Sequence, residues 1–401
     1  MRVVIDGLPL RGLSHAIVIQ HLMEGWLELD NGDELHLVTG PEPGLTIPEG
    51  ITVHRVALSK RHYLSRLRAQ ATVVPKLCRE LDADVMLGVL PSTTITPLPC
   101  PRAVVLYDLR YELRPHQFTT SARLVRKVSY DIGFHQADAI VCISERTRDD
   151  LIRSRPWLAR RIVRAAQLGA DHVDGWVADD RTPRRAIAFG QWGNKNVDLV
   201  VDAWRLLADQ NAAPPLDIVG LGAADRAALE ERLGELGLAG SIAALPWLSD
   251  EQFRGRFASA AMVVFPSDFE GFGLPAVEAM RLGIPIVVTP DPALLEVTGG
   301  HAAVMNGWGA PSSLRPCVEP KAPRLTSLRR LASTPRRSRG HGWRRGPGRR
   351  SWKRSDRPGG RPVIDAPRAL RNDAAPSISD SADCLTGALG KREFTDAEGT
   401  V

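Results

Sequence analysis

Two glutamates eight residues apart stand within the stretch PSDFEGFGLPAVEAM. Glu270 lies in a loop after an apolar run, ahead of Gly271 and Gly273, and Glu278 lies in the helix that is predicted to follow. Pro275 fits the first position of that helix, because its fixed φ suits a helix start. Carboxylates accept hydrogen bonds from sugar and ribose hydroxyls, and unpaired amides at a helix start bind phosphate oxygens. The spacing therefore predicts one pocket for a phosphate and a diol.

The same residue types also have a purely structural explanation. A loop acid is often solvated, and an acid early in a helix interacts favourably with the helix dipole. That explanation suffices for an isolated pair of glutamates. It leaves the glycines, the proline and the buried strand before them unexplained, so the whole stretch favours a binding site.

A scaffold for these residues is predicted by the pattern of apolar runs. Residues 1–178 alternate short β-branched runs with longer amphipathic ones, which is typical of parallel strands covered by helices. The predicted strands are Arg2–Asp6, Leu35–Thr39, Ile51–Val56, Val85–Val89, Ala103–Tyr107 and Ala139–Ile143. The predicted helices are Ile17–Leu29, Tyr63–Leu81, Ser121–Phe134 and Arg146–Ile152.

The pattern restarts in residues 179–312, after a polar stretch near 176–185. Here the predicted strands are Ala186–Phe189, Leu216–Val219, Ile242–Leu245, Met262–Pro266 and Ile284–Thr289. The predicted helices are Asp198–Ala208, Arg226–Leu236, Asp250–Ala258 and Ala276–Leu282. The fold class is therefore α/β, with two Rossmann-like doubly wound domains, 1–178 and 179–312, facing a cleft in which ligands bind.

Residues 313–401 break this pattern. They hold 20 Lys and Arg against 9 Asp and Glu, whereas the preceding residues have a net charge of −5. Few aliphatic residues and many arginines and prolines predict a disordered basic tail. A change of coding frame near Ser312 is the favoured explanation for the break. A solvated extension and a nucleic-acid-binding tail are the alternatives.

Composition excludes several classes of protein. No apolar run is long enough to span a membrane, and MRVVIDGLPL lacks the apolar core of a signal peptide, which predicts a cytoplasmic protein. Five scattered cysteines without a CxxC pair argue against a disulfide framework. Asp82-Ala83-Asp84 has the DxD spacing of metal–diphosphate sites, but it precedes a strand, which favours a turn. We therefore expect no metal and no cofactor.

The stretch from Phe265 to Met280 resembles the signature of retaining glycosyltransferases of family 4, which have the GT-B fold. Further segments resemble the family in the same order along the chain: Ala137–Arg148, Leu168–Asp171, Gly190–Asn196 and Ile218–Gly222. The resemblance covers about residues 1–305 and is strongest in 186–305. It implies transfer of a sugar from a nucleoside-diphosphate sugar to an acceptor hydroxyl with retention of configuration.

The resemblance also implies roles for individual residues. Glu278 would bind the nucleotide ribose, and Glu270 would lie beside the donor sugar. Lys195 would stabilise the charge that develops on the departing diphosphate, although a solvated lysine near a helix start is the alternative. Lys195 and Glu270 are thus the implied catalytic residues. The implied donor-binding residues are Glu278, Phe272, Gly273, Leu274, Gly190 and Gly12.

Two positions depart from the family pattern. Gln191 stands where the family usually has a second basic residue, which leaves diphosphate stabilisation to Lys195 and the helix start. Tyr107 and Asp108 stand where the family often has His-Asp, and they are the predicted acceptor-side residues, with a simple turn as the alternative. Tyrosine can hydrogen-bond a sugar hydroxyl, but it is a poor base at neutral pH.

The predicted partners are a nucleotide-sugar donor and a sugar, lipid-linked or small-molecule acceptor, and we expect no nucleic acid. A lipid acceptor would bring peripheral membrane association, but no strongly amphipathic basic helix stands out in the sequence. In the family, the second domain continues with further helices after the position of Ser312. The loss of these helices here predicts impaired sugar transfer. Two alternatives stay open: a nucleotide-sugar epimerase on the same fold, and an inactive truncated relative whose basic tail binds nucleic acid.

Overall fold

Two parallel β-sheets organise the part of the chain that the structure describes. The computed structural model describes residues 1–10, 13–58, 62–178, 184–191 and 193–305. The basic tail, 313–401, and the predicted loop at Gly12 lie outside these ranges. Both sheets belong to one unit of the chain.

The first sheet has seven strands in the order β3-β2-β1-β4-β5-β6-β7, all paired in parallel. Its strands are β1 Arg2–Asp6, β2 Glu34–Thr39, β3 Thr52–Arg55, β4 Val85–Gly88, β5 Arg102–Leu106, β6 Ala139–Cys142 and β7 Ile162–Ala165. Its helices are α1 Leu13–Glu28, α2 His62–Glu80, α3 Arg110–Leu113, α4 Thr120–Gln136 and α5 Glu145–Ser154. Short 3₁₀ turns follow at Pro115–Gln117, Pro156–Arg160 and Asp171–Gly175.

The second sheet has six parallel strands in the order β10-β9-β8-β11-β12-β13. Its strands are β8 Ala186–Phe189, β9 Leu216–Leu221, β10 Ile242–Pro246, β11 Met262–Phe265, β12 Ile286–Val288 and β13 Ala303–Val304. Its helices are α6 Val197–Asp209, α7 Ala223–Glu235, α8 Asp250–Ala258, α9 Leu274–Arg281 and α10 Pro292–Thr298. A 3₁₀ turn at Gly193–Lys195 follows β8.

The central strands are mostly apolar and buried because helices cover both faces of each sheet. All four residues of β8 are buried, and the last four of β1 are buried as well. One core cluster on the second sheet gathers around Trp204 of α6, and another gathers around Phe257 of α8 and Phe265 of β11. Such two-sided burial is the usual setting of parallel strands.

Local sequence signals explain where several helices begin. Ser144 caps α5 by accepting from the amide of Thr147, and Asp291 caps α10 by accepting from the amides of Ala293 and Leu294. Helix α8 begins with a capping box in which Ser249 and Gln252 exchange hydrogen bonds with each other's backbone. Each cap satisfies amides that the first turn of a helix leaves unpaired.

Every predicted strand and helix is present, with ends that differ by at most four residues from the prediction. The prediction missed strands β7 and β13 and helices α3 and α10. All four are short, and β7 and β13 lie at sheet edges. An arginine interrupts the apolar pattern of β7, and β13 has only two residues. The domain boundary at 178/179 stays a prediction, because residues 179–183 lie outside the described part of the chain.

Candidate functional site

The second sheet changes its winding direction between β8 and β11. From β8 the chain runs outward through β9 to β10, and it then returns to the other side of β8 as β11, followed by β12 and β13. Ligands of doubly wound sheets bind outside the carboxyl ends of the strands at such a point. Lys195 follows β8 and Glu270 follows β11, so the topology brings both residues to this place. We call it the second-domain crevice.

Lys195 and Glu270 form an ion pair in the second-domain crevice. The lysine Nζ lies 2.6 Å from the glutamate Oε1, and the two side chains are only 9% and 16% exposed. The ammonium also lies 4.2 Å from the centroid of the Phe265 ring at the end of β11, which adds a cation–π interaction. The burial of Lys195 is inconsistent with the alternative of a solvated lysine.

Two further side chains hold Glu270 in place. The Asn194 amide Nδ2 donates to Ser267 Oγ at 2.8 Å and to Glu270 Oε1 at 3.3 Å, and Ser267 Oγ donates to the same Oε1. Three donors, counting Lys195, therefore converge on one carboxylate oxygen. Within the described residues, Glu270 Oε2 and the buried Asn194 Oδ1 have no hydrogen-bond partner. Sequence reasoning assigned no role to Asn194 or Ser267, although both stand within the quoted motifs.

The loop over residues 266–273, which we call the glycine loop, is anchored in the first domain. Phe272 is 3% exposed and belongs to the core cluster of the first sheet, together with Tyr107 and Ile143. A Cβ on Gly271 would lie 2.3 Å from the Tyr107 carbonyl oxygen, so only glycine allows this contact. The sequence placed both glycines in a stretch that favours a binding site. In the structure Gly271 approaches the first domain.

Helix α9 begins earlier than predicted. Gly273 precedes it with a φ of +100°, in the left-handed region that favours glycine, and Leu274 is already the first helical residue. Pro275 is therefore the second helical residue rather than the first. Glu278 lies in this helix, as predicted, and is its fifth residue. The left-handed turn at Gly273 starts the helix at once, which the sequence pattern could not show.

Glu278 is paired with a histidine from the turn before the interdomain segment. Its Oε1 lies 3.0 Å from His172 Nε2, and each side chain is 10% exposed. The His172 ring stacks on His21 of α1, with centroids 5.0 Å apart and an interplanar angle of 20°. Sequence reasoning quoted the turn up to Asp171 and missed His172. Glu278 Oε2 makes no hydrogen bond within the described residues.

The predicted acceptor-side residues follow β5 at the domain contact. The Tyr107 hydroxyl is buried, has no hydrogen-bond partner among the described residues, and has a pKa raised by burial. This burial is at odds with a Tyr107 hydroxyl that contacts a sugar. Asp108 is half-buried, and its Oδ1 accepts from the Arg110 amide at 2.9 Å. This hydrogen bond fits the alternative that Asp108 only stabilises a turn.

The remaining predicted donor residues have mixed outcomes. Gly190 directly follows β8; its amide donates to the Val219 carbonyl at 2.7 Å, and an added Cβ would overlap Leu221. Packing against β9 therefore explains this glycine without a ligand. Gly12 lies outside the described residues. Gln191 is half-buried beside Gly220, and no charge replaces the missing basic residue at that position.

Side chains of α5 hold the backbone of the glycine loop. Ser144 Oγ and Thr147 Oγ1 donate to the Gly271 carbonyl at 2.6 and 3.1 Å. The Arg146 guanidinium donates to the Glu270 carbonyl. These residues lie in the segment ADAIVCISERTR, which resembles the family. The sequence did not show that they support the glycine loop of the second domain.

Helix α10 of the second domain also contacts the first domain, at the amino end of α5. The Glu296 carboxylate accepts from the amides of Glu145 and Arg146 at 2.8 and 2.9 Å and from Gln167 Nε2 at 2.7 Å. A carboxylate at the amino end of a helix is favourable because of the helix dipole. Burial raises the pKa of Asp291, although Arg146 lies 3.3 Å from its Oδ2 and favours the charged form.

Among the described residues, no group of three or more His, Cys, Asp or Glu could hold a metal ion. None of their helices is long and apolar enough to cross a membrane. Metal-independent chemistry stays a prediction.

Two Rossmann-like domains, the second with a buried cation and a carboxylate in its crevice, define a chain of GT-B architecture. The family of glycosyl transferases group 1 matches residues 180–312, which are nearly the whole of the second domain. The predicted glycosyltransferase assignment is confirmed at this level. Membership of family 4 and retention of configuration stay predictions.

Similar proteins include two bacterial transferases. The MMP alpha-(1->4)-mannosyltransferase of Mycolicibacterium hassiacum is 46% identical over 70 residues, which are 18% of this chain and 17% of that protein. The alpha-D-kanosaminyltransferase of Streptomyces kanamyceticus is 23% identical over 312 residues, which are 72% of this chain and 80% of that protein. The stronger local matches thus span only a small part of the curated relatives, 17% in the first case.

Solved structures share the fold. Sucrose-phosphate synthase from Thermosynechococcus elongatus superposes with a TM-score of 0.54 at 14% identity, over 73% of this chain and 82% of that one. Anabaena HepE in complex with UDP-glucose superposes with a TM-score of 0.54 at 15% identity, over 74% and 82% of the two chains. These likenesses show the fold alone, and they confirm the predicted GT-B architecture.

Proposed function

We propose that this protein transfers a hexose from a nucleoside-diphosphate sugar to an acceptor hydroxyl with retention of configuration. The carrying observation is the buried Lys195–Glu270 pair at the carboxyl ends of β8 and β11. A cation and a carboxylate with one unpaired oxygen suit the two halves of such a donor, its diphosphate and its sugar hydroxyls. The names of the mannosyl- and kanosaminyltransferases and the UDP-glucose complex of HepE support a hexose donor.

Lys195 would act on the leaving group. In the structure Glu270 balances its charge, and an incoming diphosphate would take over part of that interaction. Negative charge grows on the diphosphate as the bond to the sugar breaks, so a cation already in place stabilises the transition state more than the ground state. The amides of Phe272, Gly273 and Leu274 at the start of α9 would add donors for the phosphate oxygens.

Glu270 would orient the donor sugar. Asn194, Ser267 and Lys195 all bind its Oε1, which fixes the carboxylate and leaves Oε2 for a sugar hydroxyl. Asn194 and Ser267 are in this proposal positioning residues, because they act on the sugar only through Glu270. Fixed placement of this kind lowers the entropic cost of reaching a reactive geometry.

Glu278 would bind the nucleotide ribose through the oxygen that His172 leaves free. His172 contacts Oε1 at 3.0 Å, so the carboxylate is held while Oε2 can accept from a ribose hydroxyl. The contacts of the glycine loop with Ser144, Thr147 and Arg146 bring the first domain against the crevice and would keep water from the donor. Asp108 is the remaining acceptor-side candidate.

The proposal is tested with the full chain, using UDP-glucose and GDP-mannose as donors and a panel of sugar and lipid-linked acceptors. We expect a glycoside whose anomeric configuration, read by NMR, equals that of the donor. Lys195→Met should lower turnover by about 10²–10³-fold while donor affinity changes less, because its main effect is on the transition state. Lys76→Met, at an exposed lysine of α2, is the matched control.

Three results would contradict the proposal. They are an inverted product, equal turnover of the Lys195 variant and its control, and an epimerised sugar formed without acceptor. The ribose assignment is tested separately by titrating UDP and GDP into Glu278→Gln. Unchanged nucleotide affinity in that variant would show that Glu278 does not bind the donor nucleotide. The proposal of sugar transfer would still stand.

A further inference from the structure

Two histidines stack on each other between the first helix of the chain and the helix that carries Glu278. His21 lies on α1 in the first domain, and His172 lies in the 3₁₀ turn Asp171–Gly175 that contacts α9. The ring centroids are 5.0 Å apart, and the ring planes are inclined by 20°. Aromatic rings at such a separation attract each other beyond the effect of the area that they bury. We call His21 and His172 the histidine pair.

Each member of the histidine pair contacts a glutamate. His21 Nδ1 contacts Oε2 of Glu24, three residues further along α1, and His172 Nε2 lies 3.0 Å from Glu278 Oε1. An ionised carboxylate can only accept a hydrogen bond, so the ring nitrogen that faces it carries the proton. The four side chains therefore form a continuous row of contacts from α1 of the first domain to α9 of the second.

A second aromatic contact helps to fix the His172 ring. Trp176 meets this ring with centroids 5.8 Å apart and an interplanar angle of 71°. Trp176 in turn packs against Phe257 in the core of the second domain, with centroids 5.5 Å apart. A ring that contacts both His21 and Trp176 has less freedom to rotate about its side-chain bonds. Nε2 therefore keeps its direction toward Glu278.

An ion pair also connects the turn of His172 to α9. Asp174 Oδ1 and Oδ2 accept from Arg281 Nε and Nη2 at 2.7 and 2.6 Å. Both side chains are about half exposed, at 56% and 51%, and exposed ion pairs contribute little to stability. The placement of the His172 ring thus depends mainly on its two aromatic contacts, one of which comes from the first domain.

We propose that His21 is a positioning residue for nucleotide binding, because it stacks on the histidine that holds Glu278. The inference rests on the proposed contact of Glu278 with the ribose, and it adds that the first domain takes part in recognising the nucleotide. Without the His21 ring, His172 would turn more freely, and Glu278 would lose its fixed orientation before the nucleotide arrives. The cost would fall on the ribose contact, since the diphosphate is assigned to Lys195.

The alternative is that the histidine pair only stabilises the contact between α1 and the turn. In that case the loss of the His21 ring would weaken the binding of every nucleotide alike, with or without ribose hydroxyls. The two roles therefore differ in one measurable quantity. It is the preference for a ribonucleotide over its 2′,3′-dideoxy analogue, which lacks both ribose hydroxyls.

The test is calorimetric titration of the full chain with UDP and GDP, each compared with its 2′,3′-dideoxy analogue. His172→Phe keeps a ring but removes the donor to Glu278, and it should lower the preference for the ribonucleotide about tenfold. His21→Ala should lower this preference about threefold, whereas His21→Phe, which keeps a stacked ring, should retain it. His301→Ala, at an exposed histidine of the second domain, is the matched control.

A double variant tests whether His21 acts through His172. In the His172→Phe background, His21→Ala should have no further effect on the preference, because the donor to Glu278 is already absent. Folding of all variants is checked by thermal unfolding. If His21→Ala does not fold, His21→Leu, which keeps bulk without an aromatic ring, replaces it.

Three results would overturn the role of His21. They are an unchanged preference in His21→Ala, an equal weakening of a ribonucleotide and its dideoxy analogue, and the same loss in His21→Phe as in His21→Ala. A preference that is absent in the wild type, or that persists in Glu278→Gln, would overturn the inference together with the ribose assignment on which it rests. Sugar transfer by the wild type is assayed separately and stands or falls on its own product.

Discussion

Each sheet changes its winding direction at one point, and the two points use their polar residues differently. In the second domain this point lies between β8 and β11 and holds Lys195 and Glu270. In the first domain it lies between β1 and β4, where Asp6 ends β1. We call this the first-domain crevice. The same topology thus places a carboxylate in both domains.

The Asp6 carboxylate is completely buried and saturated by its neighbours. Its Oδ2 accepts from Gln70 Nε2 at 2.8 Å and from Thr93 Oγ1 at 2.7 Å, and its Oδ1 accepts from the Leu8 amide at 3.3 Å. Burial raises the pKa of Asp6, although the hydrogen bonds oppose that shift. These contacts tie the loop after β1 to the segment after β4, so we assign Asp6 a structural role.

The carboxylate of the second-domain crevice leaves an oxygen unpaired, whereas both oxygens of Asp6 accept hydrogen bonds. In the first-domain crevice the buried atom without a partner among the described residues is Gln70 Oε1, which belongs to an amide and not to the carboxylate. Glu270 concentrates its donors on one oxygen, and Asn194 Oδ1 is buried without a partner in the described residues. Unpaired buried polar atoms are costly and call for an explanation such as a ligand. The comparison teaches that topology selects where a carboxylate lies, and that its hydrogen-bond partners decide whether it serves binding or folding.

The largest effect is expected where the two domains meet, at Phe272. Phe272→Ala would remove a nearly buried ring of the glycine loop from the core of the first sheet and should lower the free energy of unfolding by about 3–5 kcal/mol. Chemical denaturation measures this change, with Trp247→Ala, at an exposed ring of the second domain, as the control. A loss below about 1 kcal/mol would show that the loop is not anchored there.

The variant Asp6→Asn tests the structural role of Asp6. The new amide would place a donor opposite Gln70 or Thr93, so we expect a loss of about 1–3 kcal/mol in the free energy of unfolding. Under conditions in which the variant stays folded, its affinity for nucleoside diphosphate should be unchanged. A variant with wild-type stability but weakened nucleotide binding would reverse the roles of the two crevices.

The variant Glu270→Gln tests whether the second-domain crevice binds the nucleotide and the sugar. Removing the carboxylate frees Lys195 from its ion pair, so UDP or GDP should bind about tenfold more tightly, which is ~1.4 kcal/mol. Turnover should fall nevertheless, because the sugar loses its orienting group. Isothermal titration and initial rates separate the two effects, and Glu251→Gln, at an exposed position of helix α8, is the matched control. Weaker nucleotide binding would show that Lys195 does not face the phosphates.

The smallest expected effect is a pH dependence of stability that arises in the first sheet. His36 Nδ1 of β2 lies 3.2 Å from His54 Nε2 of β3, and burial lowers the pKa of both rings below the usual 6.5. The folded state then binds fewer protons than the unfolded state just below pH 6.5, so stability should decline as the pH falls through that range. Thermal unfolding measures the decline, and His54→Gln should flatten it. An unchanged slope in that variant would assign the pH dependence to other groups.

The sequence predicted the site in part. Glu270 and Glu278 were found from their types and spacing in the stretch after an apolar run, and Lys195 was implied by the resemblance to the glycosyltransferase family. The structure brings Lys195 and Glu270 into contact. Asn194 and His172 were missed, because an asparagine or histidine in a turn has many local explanations. Their roles depend on partners 76 and 106 residues away in the chain.

Apolar periodicity by itself determined two α/β domains, their strand positions to within a few residues, and the loops that carry the polar groups. Sequence spacing works for these features because strands and helices form from local patterns. Only the tertiary structure decided that Gly271 approaches Tyr107, that Phe272 enters the first domain's core, and that the Tyr107 hydroxyl is buried. Such contacts join residues more than a hundred positions apart, and no local pattern encodes which distant backbone a glycine must approach.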